Sequence, residues 1–573
     1  MHPTEHTFKS WDGTELFYRA WRPAKPAGKA LLLFHRGHEH SGRWQETVEA
    51  LRLGDVAVFA WDARGHGRSP GERGSAENLA AVVRDTEAFA RHVAHVSGIA
   101  AENTIVLAHS VGAVTATAWV HDYAPRIRAL ILGTPAFRVK LYVPLAVPAL
   151  RLKQGIAGPG FVKSYVKARM LTHDAAEAAR YESDPLISRQ IAVNILLDLH
   201  DTSTRLLADA GAIHVPTLIL AAENDWVVKL SAQREFFERL SSPVKRMEVL
   251  RGFHHAIFHE RDRDVVFAKC RDFILERFAE PPATPSLQQA DRYGHTRDEF
   301  DRLRGPGSPV FALSRRFLKN IGPLSEGVRL GWRSGFDSGA TLDYVYQNQP
   351  RGLTPLGRMI DQNYLGSIGW RGIRQRRLHL EALLESAMLQ AHQADRPVRI
   401  LDIACGGGRY VLETMQRLSQ IPATAVLRDY RQENLDAAAT LAQSLKLAGV
   451  TTTLGDAFDR ASLAATSPRP TIAIVSGLYE LFPENAPVRD SLAGLADALE
   501  PGGHLTYTNQ PWHPQVEFIA RVLVNREGQP WIMRRRTQAE MDELVEEAGF
   551  EKIHQEIDEW GIFSVSVARR ISA

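Results

Sequence analysis

Short apolar runs alternate with helical patterns over the first 280 residues of the chain. The runs are rich in β-branched and aromatic side chains and lie at 30–34, 56–61, 104–107, 129–132 and 217–221. Strands that alternate with helices predict a mostly parallel sheet with helices on both faces. The N-terminal part of the chain differs. Two segments in which apolar and polar residues alternate flank Asp12 and Gly13, a pair typical of the tight turn in an antiparallel hairpin.

Residues 135–212 interrupt this alternation. Strand patterns give way to helical ones, and the strand pattern resumes at Val215. We therefore expect a helical cap inserted into a sheet domain that occupies residues 1–280. Within the cap, residues 140–153 are apolar between basic ends. They can form a helix or loop packed over the core, or an entrance for an acyl chain that rests on a membrane surface.

A proline-rich segment divides the chain. Three prolines occur within 280–286, directly after a helical pattern, and proline at this density ends a helix and stiffens a spacer. We place a linker at 281–290. A helical stretch rich in arginine and aromatic residues follows over 291–395, and a second β/α alternation fills 396–573. The pattern predicts two tandem α/β domains, 1–280 and 291–573.

Composition and charge narrow the class of protein. The 573 residues are 44% hydrophobic and 24% charged, close to soluble globular averages, and a net charge of +3 is too small to indicate wholesale nucleic-acid binding. Cys270 and Cys405 fall in different predicted domains, which argues against a disulfide framework and fits a reducing cytosol. The apolar stretch 141–150 is far shorter than the ~20 residues that span a membrane. No secretory signal pattern opens the sequence, so we expect a cytoplasmic or membrane-peripheral protein.

A serine between a strand and a helix is the first candidate for chemistry. Residues 107–112 read LAHSVG, which puts Ser110 at the apex of a nucleophile elbow with Ala108 in place of the first glycine of G-x-S-x-G. Asp225 and His255 follow later strand patterns, in the order serine, acid, histidine that is expected of an α/β-hydrolase. The rivals are Glu223 for the acid, and His254 and His259 for the histidine.

Further segments extend this site along almost the whole first domain: HRGHEHSGRW (35–44), DARGHGRS (62–69), AHSVG (108–112), YESDPL (181–186), END (223–225) and GFHH (252–255). In these segments the domain resembles the monoacylglycerol lipase and lysophospholipase branch of the α/β-hydrolases. The resemblance implies a serine hydrolase of lipid esters, with His255 as the histidine three residues after the loop glycine. It also implies an oxyanion hole formed by the backbone amides of Gly37 and Val111.

Arg36 departs from that branch, which usually has glycine beside the oxyanion loop. Its side chain can point into solvent, or it can contact an anionic part of the substrate, because a guanidinium pairs with phosphate or carboxylate. A metal site at His35, His38 and His40 is disfavoured, since the oxyanion loop already explains these residues and H-E-x-x-H is absent. We expect no metal.

A glycine-rich loop in the second domain is the second candidate. In VRILDIACGGGRYVLE (398–413) an apolar strand runs into Asp402, three glycines and a helix, and such a loop lets backbone amides approach a ligand. The dinucleotide pattern G-x-G-x-x-G is not matched, because Val411 takes the place of its third glycine. Asp429 ends the next strand pattern, where an acid can accept both hydroxyls of a ribose.

Three more segments follow in order, LGDAFD (454–459), IVSGLYELF (474–482) and EPGGHLTYTNQ (500–510). The succession resembles the class I S-adenosylmethionine-dependent methyltransferases, which implies a Rossmann-like core with S-adenosylmethionine as cofactor. The implied contacts are Asp402, Ala404, Gly406 and Gly408 for the methionine and sugar, Asp429 for the ribose, Asp456 and Ala457 for the adenine, and Ser476 and Gly477 for the methyl centre. The pairing of the two domains also resembles a family of bifunctional hydrolase/methyltransferases.

The sequence constrains the identity of the methyl acceptor less than that of the cofactor. His513 can be a base for a hydroxyl or amine acceptor, or a structural loop histidine. The basic stretches 369–377 and 533–537 can be solvated faces, or they can bind an anionic, phosphate-bearing or lipid-derived acceptor. N-P-P-[YF], which marks methyltransferases acting on nucleic-acid bases, is absent and no nucleic-acid module occurs, so we expect no nucleic-acid partner.

These observations predict a bifunctional enzyme. It would combine a serine hydrolase of lysophospholipid or monoacylglycerol type with an S-adenosylmethionine-dependent methyltransferase. The alternative is a small-ester esterase in which the methyltransferase domain serves as a binding or regulatory module. The sequence leaves the oligomeric state open.

Overall fold

The chain forms two compact units in the computed structural model, Met1–Pro285 and Ser286–Ala573. The structure describes residues 2–143, 145–283 and 285–571. Pro144 of the predicted cap and Thr284 of the predicted linker lie outside the described residues. Within the described residues, no helix is both long and apolar enough to cross a membrane.

The first unit is built on strands that are rich in apolar residues. Among its described residues these are β1 Thr4–Lys9, β2 Glu15–Trp21, β3 Lys29–Phe34, β4 Val56–Trp61, β5 Thr104–His109, β6 Ala129–Gly133, β7 Phe161–Lys163, β8 Gln190–Ala192, β9 Thr217–Ala222 and β10 Lys245–Leu250. Eight of them form one sheet in the order β1-β2-β4-β3-β5-β6-β9-β10. In that sheet β2 runs antiparallel to both neighbours and all other pairs are parallel.

Helices cover both faces of this sheet. They are α1 Gln45–Leu51, α2 Leu79–Ser97, α3 Val111–Tyr123, α4 Ala146–Ala157, α5 Ala168–Leu171, α6 Ala175–Ser183, α7 Val193–Ala208, α8 Leu230–Arg239 and α9 Asp264–Ala279. Every residue of β4, β5 and β9 is buried, which explains why these strands read as continuous apolar runs rather than alternating ones. The α/β-hydrolase fold predicted for this half of the chain is confirmed.

The insertion between β6 and β9 is mostly helical, as expected, but it also contains strands. β7 and β8 pair antiparallel in a two-stranded ribbon between α4 and α7. This short ribbon within the helical cap was not predicted from the sequence pattern. Strands of three residues are too short to show an alternation of apolar and polar positions.

The second unit opens with helices and continues into its own sheet. Its helices are α10 His295–Arg304, α11 Pro309–Asn320, α12 Glu326–Ser334, α13 Gly339–Gln347, α14 Pro355–Leu365, α15 Ile368–Gln393, α16 Arg409–Arg417, α17 Gln432–Ser444, α18 Arg460–Ala464, α19 Asn485–Ala498, α20 Val516–Val522 and α21 Gln538–Glu547. Its strands are β11 Val398–Asp402, β12 Ala423–Asp429, β13 Val450–Leu454, β14 Ile472–Val475, β15 His504–Asn509, β16 Phe550–Ile557 and β17 Ser564–Arg570.

Strand order in the second sheet is β13-β12-β11-β14-β15-β17-β16. The first five strands are parallel, and β17 runs antiparallel to β15 and to β16. The order reverses at β11, so a crevice forms outside the carboxyl ends of β11 and β14, where ligands bind in open α/β sheets. The second α/β domain of the predicted tandem is confirmed.

Candidate active sites

Ser110 lies in the sharp turn between β5 and α3. Its φ is +55° and its ψ is −111°, a conformation that L residues rarely adopt. Small neighbours are required there, because a Cβ built on Gly112 would lie 2.3 Å from the carbonyl oxygen of His35. The strained turn presents the hydroxyl of Ser110 at the carboxyl edge of the sheet.

Three side chains meet at this edge in a hydrogen-bonded chain. The His255 Nε2 atom lies 2.8 Å from Ser110 Oγ, and the Nδ1 atom lies 2.8 Å from Asp225 Oδ2. The other oxygen of Asp225 accepts the amides of Val227 and Val228 at 2.7 and 2.9 Å. Burial alone would raise the pKa of Asp225, but the neighbouring His255 and these hydrogen bonds hold it below its ordinary value.

The rival residues have other partners. Glu223 accepts the backbone amide of Gly252 at 3.0 Å. His254 Nε2 accepts the indole N–H of Trp226 at 3.3 Å. Among the described residues, only His255 joins a serine hydroxyl to a carboxylate in this loop. A general base must lie within hydrogen-bond reach of the proton that it removes, and His255 meets that condition.

Gly37 and Val111, the residues of the implied oxyanion hole, lie close together beside Ser110. A Cβ built on Gly37 would lie 3.0 Å from Val111 Cγ2, so these residues are neighbours across the loop after β3 and the start of α3. Within the described part of the chain, neither amide has a hydrogen-bond acceptor. A cavity of about 50 Å³ borders both residues. Such a pair of free donors can receive the oxyanion of a tetrahedral intermediate.

The structure excludes one of the two interpretations of Arg36. The side chain is 3% exposed, so it does not point into solvent. Its guanidinium donates to Glu39 Oε1 at 3.0 Å and lies 4.8 Å from the centre of the Tyr181 ring. Glu39 offsets the charge of this guanidinium, and the contact of Arg36 with an anionic part of the substrate stays a prediction.

The glycine loop of the second unit lies between β11 and α16. Gly406 and Gly408 have φ of +52° and +65°, and open space surrounds the Cβ positions of Gly406 and Gly407. Among the described residues, the amide of Gly407 has no acceptor. Open space beside a free amide at a helix N-terminus fits the carboxylate end of a bound amino-acid-type ligand.

The other predicted cofactor residues lie at the carboxyl ends of four adjacent strands, β13, β12, β11 and β14. Asp429 ends β12, and its carboxylate accepts the amides of Gly406 and Arg431 and the side chain of Asn434, each at 3.0 Å. This arrangement ties the glycine loop to the neighbouring strand. Asp456 and Ala457 follow β13, Ser476 and Gly477 follow β14, and Ala404 precedes the glycines.

Asp402 departs from its expected role. Its side chain is fully buried, where it accepts the hydroxyl of Tyr410 at 2.5 Å and the amide of Ala404 at 3.3 Å. Burial raises its pKa to about 7. A carboxylate without exposed surface cannot contact a ligand in the crevice, so Asp402 shapes the glycine loop instead.

Two sets of alternatives for the acceptor region also bear on the second unit. Arg534, Arg535 and Arg536, the basic part of 533–537, are at most 2% exposed and donate to carboxylates, amides and backbone carbonyls inside the unit. They form no surface for an anion.

His513 accepts the amide of Gln515 on Nδ1 at 3.0 Å, and burial lowers its pKa to about 3. The neutral ring therefore holds its proton on Nε2, where it can donate but cannot act as a base.

A family model described as "Putative methyltransferase" matches residues 270–570, more than half of the chain. The chain belongs to this family. A second model, described as "Serine aminopeptidase, S33", matches residues 25–262. This member of the methyltransferase family therefore carries a hydrolase domain in its first half.

Similarity to individual proteins agrees with these two family models. The uncharacterized protein YnbC of Escherichia coli is 50% identical over 579 residues, which cover 99% of this chain and 98% of that protein. The monoacylglycerol lipase of Mycolicibacterium smegmatis is 26% identical over 278 residues, 48% of this chain and 97% of the lipase. The monoglyceride lipase of Homo sapiens is 27% identical over 277 residues, 47% of this chain and 89% of the lipase. The hydrolase domain is thus similar to monoacylglycerol and monoglyceride lipases over most of their length.

Glu260 is a residue of the hydrolase domain that sequence analysis did not single out. Its carboxylate accepts the amides of His254, His173 and Arg261 at 2.9 to 3.1 Å, and it also contacts the ring of His173. The ligand atoms of His173, His254 and Glu260 lie within 4.8 Å of one another. Both carboxylate oxygens already accept hydrogen bonds from these groups, so Glu260 holds the loop that carries His255 in position. No sequence motif marks such a contact.

Proposed function

We propose that the protein is a bifunctional enzyme with two active sites, a serine hydrolase of monoacylglycerol or lysophospholipid esters and an S-adenosylmethionine-dependent methyltransferase. The observation that carries the hydrolase half is the chain of two 2.8 Å hydrogen bonds from Ser110 through His255 to Asp225. A serine, a histidine and a carboxylate in this arrangement activate the hydroxyl as a nucleophile.

In the proposed hydrolysis Ser110 Oγ attacks the ester carbonyl carbon while His255 Nε2 takes the hydroxyl proton. Asp225 holds the imidazole through Nδ1 and stabilises the imidazolium that forms. The amides of Gly37 and Val111 donate to the developing oxyanion, and one such donor is worth roughly 2.7 to 4 kcal/mol. The proton then passes from His255 to the leaving alcohol, and a water molecule hydrolyses the acyl-enzyme by the reverse path.

The exposed surface of the cap supports a lipid-type ester as the substrate. Around α4 the side chains of Tyr142, Val143, Leu145, Leu152 and Ile156 are all more than half exposed. Arg151 and Lys153 lie among them in the sequence. Apolar side chains with neighbouring cations suit the interface of an anionic membrane, so we propose peripheral membrane contact through α4. The monoacylglycerol and monoglyceride lipases among the relatives support this substrate class.

The methyltransferase half would hold S-adenosylmethionine at the carboxyl ends of β11, β12 and β13, through the glycine loop, Asp429, Asp456 and Ala457. When bound there, this cofactor supplies an activated methyl group. Asp429 would accept ribose hydroxyls while it keeps its hydrogen bond to Gly406.

Cys270 and Cys405 are both buried and unpaired, which suits the reducing cytoplasm that we propose as the location.

Covalent labelling tests the hydrolase proposal. A fluorophosphonate probe should label the full-length protein at Ser110, as read by mass spectrometry of peptides. Ser110→Ala should lose the label together with hydrolysis of 1-monooleoylglycerol, whereas Ser183→Ala, which changes an exposed serine of α6, should retain both. Labelling at a different serine would overturn the assignment. Hydrolysis of short-chain esters with no activity on 1-monooleoylglycerol would favour the small-ester alternative.

A further inference from the structure

A cavity of about 330 Å³ lies in the second unit, between the helices that open the unit and the loops after β14 and β15. Its walls are mainly aromatic and aliphatic; they include Trp370, Ile373, Phe518, Trp531, Met533 and Phe563. Its size and apolar lining are typical of a site for a small molecule.

Polar atoms in this lining lack partners. Glu480 is 7% exposed, and its Oε1 atom accepts from Arg376 Nη1 at 3.1 Å, but Oε2 has no hydrogen-bond partner among the described residues. The side-chain nitrogen of Gln510 and the indole nitrogen of Trp531 are also buried and unpaired within the described residues. A buried polar atom left unpaired is costly, so a ligand that satisfies these atoms would bind with a specific orientation.

The unpaired carboxylate oxygen restricts the charge of the ligand. It can only accept a hydrogen bond, so it favours a ligand that carries a hydroxyl or another N–H or O–H donor. An anionic group placed there would meet a like charge inside an apolar wall. The two unpaired nitrogens are donors and suit an acceptor atom on the same ligand. A neutral hydroxyl compound meets all of these conditions.

The position of the cavity relates it to the proposed cofactor site. Gly477 lines the cavity and directly follows Ser476 in the loop after β14. β14 pairs with β11, whose carboxyl end carries the glycine loop. The same lining includes His513, whose Nε2–H can donate but cannot remove a proton. The described lining holds two carboxylates, Asp337 and Glu480. Asp337 pairs with Arg526, whereas Glu480 is held by Arg376, whose guanidinium lies 3.2 Å from the Cβ position of Gly477. Glu480 is therefore the carboxylate placed beside the loop after β14 to receive a proton from a ligand hydroxyl.

We propose that this cavity binds the methyl acceptor, that the acceptor is a neutral, largely apolar hydroxyl compound, and that Glu480 accepts its proton. The inference rests on the proposed methyltransferase function. In the transfer, the hydroxyl oxygen forms a bond to the methyl carbon as the carbon–sulfur bond of the sulfonium breaks. The sulfur keeps that electron pair as a thioether, and the hydroxyl proton passes to Glu480 Oε2. Arg376 orients Glu480 and balances its charge.

Calorimetry on the full-length protein without S-adenosylmethionine tests the acceptor class. The probes are 2-naphthol, 2-methoxynaphthalene, which has no hydroxyl, and 2-naphthoate, which is an anion of similar size. We expect 2-naphthol to bind at least about tenfold more tightly than the other two, the free-energy equivalent of one hydrogen bond to a charged group. Equal or tighter binding of 2-naphthoate would overturn the inference.

Substitutions in the cavity lining test whether 2-naphthol binds there. In Glu480→Gln the amide oxygen stays on Arg376 and the NH₂ group faces the ligand, so 2-naphthol should bind about tenfold more weakly and its methylation should fall at least 100-fold. Ile373→Trp should block binding by filling the cavity. Glu484→Gln, which changes an exposed carboxylate four residues later, should leave both properties unchanged. Unchanged 2-naphthol binding by both Glu480→Gln and Ile373→Trp would overturn the inference.

Titration of the same proteins with S-adenosylmethionine separates the two proposals. A variant that binds S-adenosylmethionine like the wild type is folded, so its loss of 2-naphthol binding supports the cavity assignment. If the wild type binds S-adenosylmethionine but not 2-naphthol, the acceptor class is wrong while the methyltransferase proposal stands. If it binds 2-naphthol but not S-adenosylmethionine, the methyltransferase proposal fails, and with it the role of the cavity as an acceptor site.

Discussion

At the residue scale, the hydrolase site depends on a strained backbone at Ser110. Its φ of +55° is compensated by backbone hydrogen bonds on both sides, since its amide donates to Gly133 O at 2.9 Å and its carbonyl accepts from Ala136 N at 3.1 Å. These bonds fix the turn and leave the hydroxyl directed at His255. Strain of this kind persists where the surrounding structure over-determines it, often at active sites.

Replacing single histidines tests which ring serves Ser110. We expect His255→Ala to lower ester hydrolysis at least ~10³-fold, because no other described imidazole lies within hydrogen-bond distance of Ser110 Oγ. His254→Ala changes the neighbouring ring, which contacts Trp226 instead, and should retain activity within a few-fold. Rates of p-nitrophenyl ester hydrolysis measure both. An inactive His254→Ala beside an active His255→Ala would contradict the geometry.

Sequence reasoning identified Ser110, Asp225 and His255 from their order after successive strand patterns, and loops that follow parallel strands do meet at one edge of the sheet. It left the roles of Arg36 and His513 open and expected a ligand contact from Asp402, because these roles depend on burial and on specific hydrogen-bond partners. Asp402 is fully buried and accepts the hydroxyl of Tyr410, and a backbone amide fixes the tautomer of His513. Residue type and spacing record neither effect.

At the scale of elements, the loop between β11 and α16 links the proposed cofactor site to a buried acid. Asp402 ends β11 beneath the glycines, and burial raises its pKa to about 7 from an ordinary value of 3.8. In the unfolded chain this acid ionises near its ordinary pKa. In the folded chain it keeps its proton until about pH 7, so the folded state binds more protons between these two values.

This difference gives a signed pH dependence. Between about pH 4 and pH 7 the contribution of Asp402 to the free energy of unfolding should fall as the pH rises, and it should level off above pH 7. Asp402→Asn removes the titration. Denaturant unfolding of both proteins should therefore show the variant gaining stability relative to wild type from pH 4 to pH 7. A constant difference across this range would contradict the buried, protonated acid.

The cap is the second element with a predicted consequence. Leu152 and Ile156 on α4 are 64% and 78% exposed. We expect Leu152→Asp with Ile156→Asp to reduce sedimentation of the protein with anionic phospholipid vesicles several-fold, while hydrolysis of p-nitrophenyl acetate stays unchanged. Val265→Asp, at an exposed apolar residue of α9, is the matched control and should still sediment. Unaltered vesicle binding by the cap variant would show that α4 does not contact the membrane.

At the scale of the whole molecule, each unit has its own sheet and its own buried core. The change from apolar runs to a proline-rich segment in the sequence indicated where one set of elements ends. The sequence could not indicate that Ser286 and Leu287 belong to the second unit. Both contact Glu543, by hydrogen bonds of 2.7 and 2.6 Å, and this pairing across more than 250 residues leaves no local pattern.

Separate expression of the units tests their independence. Fragments 1–285 and 286–573 each retain a full sheet and core, so both should fold alone. The first should hydrolyse esters and the second should bind S-adenosylmethionine, each within a few-fold of the full chain. Circular dichroism, esterase assays and calorimetry provide the readouts. An esterase fragment that works only after the second fragment is added would show that the units complete a common site.

The most direct test of two separate active sites in one chain is a crossed assay of Ser110→Ala and Asp429→Ala. Each full-length variant is measured for hydrolysis of 1-monooleoylglycerol and for the Kd of S-adenosylmethionine. We expect Ser110→Ala to lose hydrolysis and keep the wild-type Kd, and Asp429→Ala to keep hydrolysis and lose about tenfold or more in affinity. Loss of both properties in either folded variant, or of neither in Asp429→Ala, would contradict the account.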